Sequence, residues 1–328
     1  MVRILYRISG DAMQTATTLF QIMTQLIAQM ATLLSTPIFG AMAILLAVQI
    51  GMTQKKNQKQ AVVKLSAFLF AILESWIHIM ISGMAGGLVA GSLLLLTGVA
   101  ISYRAMLYLW ITMLILCMMR RRFFCFAYAG GVLVLIQSIM RCCGMAWPDI
   151  DAAAILLFVA ILHFTEALLV KISGTVQQMP VYFRSKTGNI TEKTQMQVFW
   201  PIPLVMPVPL EQAPNLALCG GCLVMPEWWP LFGASQIAEA VVLYQLMPVL
   251  AVIGYSDFAI PGREHMQTRK SSRLLVLYSI ILSGLIRCSH TTQQMLVIAA
   301  LFAILGHEWI LHIGTMDMRK YVHSKKEQ

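Results

Sequence analysis

The chain has 328 residues, of which 58% are hydrophobic and 12% charged, and its mean hydropathy is +0.73. A soluble domain carries about 25% charged residues, so the composition excludes a soluble enzyme and makes lipid the solvent for most of the chain. The net charge of +10 raises the question of nucleic acid. The basic residues, however, sit in short runs between apolar stretches, as positive-inside membrane proteins place them, and are not interleaved with aromatics as nucleic-acid binding requires.

Residues 1–30 read as an amphipathic N-terminal segment. Gln14, Thr17, Gln21, Gln25 and Gln29 suit an interfacial helix better than a span, and Asp11 with the Gln- and Thr-rich stretch after it does not resemble a cleavable signal. A bilayer core needs roughly 20 helical residues, and 31–52 provide the first span. Residues 61–82 contain Lys64, Glu74 and His78 and are expected to lie along the cytoplasmic interface. If they spanned, Arg120, Arg121 and Arg122 would fall opposite Lys55, Lys56 and Lys59.

Further spans are predicted at 83–103, 105–119, 123–140, 152–170, 231–256, 274–289 and 292–313. Pro201, Pro203, Pro207 and Pro209 prevent a straight helix over 197–210, which is expected to cross as an extended element shielded by helices. The fold predicted is an all-α polytopic integral membrane protein with about nine transmembrane segments over 31–314, then a basic cytoplasmic tail, 315–328. In this topology the inside segments 53–82, 120–122, 171–196, 257–273 and 315–328 hold 19 of the 24 Lys and Arg. The outside loop 211–230 has Glu211 and Glu227 and no basic residue. Trp147, Trp200, Trp228, Trp229 and Trp309 are expected as interfacial anchors.

His307-Glu308-Trp309-Ile310-Leu311-His312 looks like a zinc-protease HExxH with one residue too many. Histidines at i and i+5 lie about 140° apart on a helix, against about 40° for i and i+4, so these two do not share an ion. A third ligand from another helix does not repair that. His307 and Glu308 are therefore expected to be a satisfied polar pair near the cytoplasmic end of the last helix. Cys219-Gly220-Gly221-Cys222 is a CxxC without a following helix to lower a thiol pKa, and a structural disulfide, or none, is expected.

Ionisable residues at membrane depth are expensive and often functional. Here they are His163 with Glu166, one turn apart, Glu239 with Gln236, and Arg287 with His290. Interhelical hydrogen bonding accounts for them, and a proton or cation site is the alternative. The 23 methionines are spread over every span as gap fillers. Gly83, Gly87 and Gly91 let helix backbones approach closely, for internal packing or for self-association. No residue set is expected to hold a metal or a cofactor.

Several short stretches together resemble the membrane domain of the MinJ-like division-topology family, Gram-positive polytopic proteins that usually end in a PDZ domain. They are Arg122-Phe123-Phe124-Cys125-Phe126-Ala127-Tyr128-Ala129-Gly130-Gly131, His163-Phe164-Thr165-Glu166-Ala167, Phe199-Trp200-Pro201-Ile202-Pro203-Leu204, Pro226-Glu227-Trp228-Trp229-Pro230-Leu231, Tyr255-Ser256-Asp257 and Leu305-Gly306-His307-Glu308. They fall in order over roughly 31–310. The PDZ domain that would follow, capturing peptides by strand addition, is absent before Gln328, which implies a PDZ-less relative or a shortened form.

The resemblance implies a non-enzymatic membrane scaffold or localisation factor for cell division. Its expected partners are the lipid bilayer, other membrane or division proteins docked on the cytoplasmic segments 61–82, 171–196 and 257–273, and a second copy of itself, with no nucleic acid. The alternative function is an ion- or proton-coupled transporter using Glu166 or Glu239. A membrane metalloprotease is a more distant one.

Overall fold

The computed structural model describes residues 19–57, 65–145, 148, 150–184, 190–209, 223–225, 229, 243–289 and 293–324. Among them the chain is mostly helical. The first helix, α1 (Leu19–Leu34), is apolar but short, and it buries Ile22, Leu26, Met30 and Leu33, a spacing of four, four and three that keeps one stripe inward. A turn at Ser35 and Thr36 ends it. Proline at the first helical position then starts α2 (Pro37–Asn57), where its missing N–H costs nothing.

α3 (Leu65–Thr97) is one continuous helix of 33 residues, about 50 Å long at 1.5 Å per residue. This corrects the expectation of an interfacial 61–82 followed by a separate span from 83: Glu74 and His78 are exposed and interrupt no backbone hydrogen bonding, so the helix runs unbroken through both segments. α4 (Tyr103–Met119) starts where Ser102 Oγ accepts the Ala105 N–H at 3.2 Å. A 3-10 turn, Arg121–Phe123, leads to α5 (Phe126–Cys142), capped by Cys125. α6 (Ala152–Ser173) is capped by Asp151, whose Oδ1 accepts the Ala154 N–H at 2.9 Å. After the sheet come α7 (Glu264–Cys288) and α8 (Gln293–Ser324).

Five segments, Pro37–Lys55, Ser66–Thr97, Ala152–Ser173, Glu264–Cys288 and Gln294–Gly314, are long and apolar enough to cross a membrane. Among the described residues these five, and not nine, meet that length and composition, and the fold is not purely helical. A four-stranded antiparallel sheet with order β1-β2-β4-β3 is formed by β1 (Gln178–Arg184), β2 (Ile190–Pro209), β3 (Leu223–Val224) and β4 (Leu243–Ala259). The predicted helical span 231–256 is thus corrected: from Leu243 onward it is strand. Apolar length alone does not separate a buried strand from a helix. Pro248, with Val249, Val252, Ile253 and Tyr255 around it, favours the strand.

The extended element predicted at 197–210 is present as the second half of β2, and 201–208 are all buried. Its prolines explain why a strand is tolerated there. Proline cannot donate to a ladder, so the β2–β4 hydrogen bonds run through the even residues, with Trp200 opposite Ile253, Ile202 opposite Ala251 and Leu204 opposite Val249. The odd residues turn their backbone toward the other edge, where β1 no longer reaches, and prolines at 201, 203, 207 and 209 remove most of the N–H groups that would go unpaired.

That edge lies against α3. Gly83 and Gly87 face the carbonyls of Pro201 and Pro203, and Gly91 faces Val205. Four helical residues and two strand residues both rise about 6 Å, so glycines four apart match strand positions two apart. The small-residue stripe therefore serves internal packing.

The basic runs share one end of the bundle. Gln54 of α2 lies beside Thr175 and Gln177 after α6, Thr268 of α7 touches Gly174, and Glu308 of α8 bonds Arg122. At the other end Trp229 Nε1 donates to the Leu95 carbonyl.

Candidate functional site

Three helices meet near the basic end through small residues. A Cβ on Gly131 of α5 would lie 2.6 Å from Ile304 Cγ1 of α8, and one on Gly130 would lie 2.9 Å from Val159 Cγ2 of α6. Both are closer than real Cβ atoms come, so Gly130 and Gly131 are what let α6 and α8 approach α5. The approach brings together side chains that are 38 and 182 residues apart in sequence.

Cys125 Sγ lies 3.4 Å from His163 Nε2 and 3.6 Å from His307 Nε2, and all three ligand atoms fall within 4.8 Å of one another. The two imidazoles meet edge to face with centroids 5.3 Å apart. His163 is 2% exposed and His307 9%, so water does not screen this group. His163 Nδ1 is 2.8 Å from the Val159 carbonyl. A carbonyl only accepts, so Nδ1 carries the proton and Nε2 presents its lone pair to the sulfur. Cys125 Sγ also accepts the Ala127 N–H at 3.5 Å as the cap of α5. Tyr128 and Tyr278 wall the pair, with ring centroids 5.1 Å from His307 and His163 respectively.

Glu308 turns away from this group, since adjacent helical residues point about 100° apart. Its Oε1 accepts from Tyr128 OH at 2.8 Å and its Oε2 pairs with Arg122. The hydrogen bond from the Arg122 guanidinium to Glu308 raises the arginine's pKa above its ordinary value, so the charge persists at any physiological pH. Glu166, one turn beyond His163, places Oε2 3.9 Å from His163 Nε2.

His163, Glu166, His307 and Glu308 are thus brought to one place. Glu239, Gln236, His290 and the Cys219–Cys222 motif lie outside the described residues. His312 is exposed and His307 is buried, as the i, i+5 spacing requires. Cys125, Tyr128 and Arg122 were not legible as site residues from spacing. The signal that contains them is the Arg122–Gly131 stretch, which carries part of the family resemblance.

A second polar node lies nearby at the same end. Asp257 of β4 accepts from Gln267 at 2.9 Å, Ser271 at 3.0 Å and its own strand's Phe258 N–H at 2.8 Å. Trp200, fully buried, donates to Ser173 Oγ at 2.8 Å. Beside this node α7 opens a surface groove of about 790 Å³ lined by Arg263, Gln267, Arg269, Lys270, Arg273 and Leu274.

No protein-family model, no curated protein and no solved structure matches the chain.

Proposed function

We propose that this chain is a multi-pass membrane scaffold whose basic end faces the cytoplasm and holds an acidic segment of a partner protein. The observation that carries the reading is the α7 groove, which Arg263, Arg269, Lys270 and Arg273 line together with the apolar Ile260, Met266 and Leu274. Such a surface complements an acidic peptide in charge and offers its side chains somewhere to bury. The segment is one of those expected from sequence to dock partners. The resemblance to the division-topology family supports a role in organising the division site. The excess of Lys and Arg at one end supports its cytoplasmic orientation.

The test uses the full chain in nanodiscs of zwitterionic lipid and a fluorescent poly-glutamate peptide, read by anisotropy. Binding is expected to weaken at least about tenfold in the Arg269→Glu, Arg273→Glu double variant and to fall with added salt. Binding indifferent to that substitution overturns the reading. So does complete displacement of the peptide by anionic lipid, which would make the groove a membrane-surface contact. Solute uptake by reconstituted protein that vanishes with Glu166→Gln would put the transporter in its place.

A further inference from the structure

We propose that Cys125, His163 and His307 form a site for one borderline-soft divalent transition-metal ion of the Zn²⁺ class, with the Glu166 carboxylate as fourth ligand. The inference stands apart from the groove and does not depend on it.

The geometry comes first. Zn–S bonds of about 2.3 Å and Zn–N bonds of about 2.0–2.1 Å at a tetrahedral angle separate sulfur from nitrogen by about 3.5 Å. The two Sγ–Nε2 distances, 3.4 and 3.6 Å, bracket that edge. The donors come from three separate elements, the α5 cap, α6 and α8, and their ligand atoms lie within 4.8 Å of one another. They are also the right chemistry: thiolate and imidazole suit Zn²⁺ and its neighbours, while Mg²⁺ and Ca²⁺ take oxygen.

The surroundings match as well. The His163 Nδ1 contact to the Val159 carbonyl is the outer-shell bond that orients a metal-bound histidine and fixes the tautomer that leaves Nε2 free to ligate. Glu166 Oε2 lies 3.9 Å from His163 Nε2 but outside the group of three whose ligand atoms fall within 4.8 Å of one another, so a side-chain rotation would have to bring it to the remaining corner. Glu308 is already engaged by Tyr128 and Arg122, so it is not a ligand, and it neutralises the Arg122 charge.

Charge balance favours the full set. On binding, the Cys125 S–H bond breaks, its proton leaves to water and a sulfur–metal bond forms. Glu166 likewise binds as the carboxylate, releasing a proton if it held one. A dication with one thiolate, one carboxylate and two neutral imidazoles sums to zero, which a dry helical interior accepts far better than a bare charge. Four protein ligands close the coordination sphere, so the ion would tie α5, α6 and α8 together as a structural element.

The test is cobalt substitution in the full chain purified in detergent. Metal-stripped protein is titrated with Co²⁺, whose thiolate complex shows a near-ultraviolet charge-transfer band. About one Co²⁺ per chain is expected, with the band, and with displacement by Zn²⁺. Cys125→Ser should abolish the band, and His307→Ala and Glu166→Gln should each weaken binding by at least about tenfold. Cys288→Ser and the double variant Cys219→Ser, Cys222→Ser should keep it. Wild-type protein that develops no band, or a band that survives Cys125→Ser or is lost in the Cys219/Cys222 variant, overturns the assignment. Because the wild-type titration decides by itself, a variant that misfolds does not leave the proposal undecided.

Discussion

Gly83 of α3 lies directly against the backbone carbonyl of Pro201 in β2, so close that a Cβ would overlap the oxygen. Four residues on, a Cβ at Gly87 would come within 2.6 Å of the Pro203 carbonyl. Neither backbone atom can move without shifting the strand. Gly83→Ala and Gly87→Ala are each expected to destabilise by about 1–3 kcal/mol. Gly40→Ala, where nothing lies within 4 Å of the added Cβ, should be neutral or stabilise by up to about 1 kcal/mol. Thermal unfolding in detergent checks the contrast. A Gly83→Ala protein that unfolds normally but changes its oligomeric mass would show that the stripe pairs chains instead.

Trp200 is 0% exposed and its indole N–H donates to Ser173 Oγ, which itself bonds the Leu169 carbonyl. Trp200→Phe removes the donor and part of the volume, for an expected loss of about 1–3 kcal/mol. Ser173→Ala leaves the indole N–H without an acceptor in a buried site and should cost a similar amount. Because the two residues share one bond, the double variant should lose less than the sum of the single losses, and chemical denaturation of the four proteins measures the difference.

The Arg122–Glu308 pair joins the α4–α5 junction to α8, but its side chains are 46% and 34% exposed. Solvent screens such a pair, so a double-mutant cycle with Arg122→Ala and Glu308→Ala should give a coupling of only about 0.5–1 kcal/mol. Glu308→Ala is expected to be the worse single variant, because it also strips Tyr128 OH of its acceptor. Equal single losses would show that the tyrosine bond contributes nothing.

The two ends of the bundle predict opposite accessibility. Cys142 and Cys143 are exposed at the end of α5 away from the basic runs. In intact cells an impermeant maleimide should label these two, while a cysteine introduced at Arg269 should react only after permeabilisation. Labelling of position 269 from outside would invert the orientation proposed for the groove.

Composition and charge spacing determined much by themselves. They pointed to a membrane protein, placed helices close to their positions at α2, α4, α5, α6 and α8, and marked 197–210 as extended because four prolines disfavour a straight helix. Burial in a low-dielectric medium acts on every residue of a segment at once, so apolar length is visible locally.

What the sequence did not reveal depended on partners distant in the chain. The merger of 65–97 into one helix, the strand at 243–259 and the use of Gly83 and Gly87 are each decided by what packs opposite: a proline-edged strand that fills the groove of the glycines and takes its ladder from β4. The polar cluster shows the same dependence. His307 is read against His312 when only spacing is available, but its neighbours are Cys125 and His163, and no periodicity within one helix records a convergence of three.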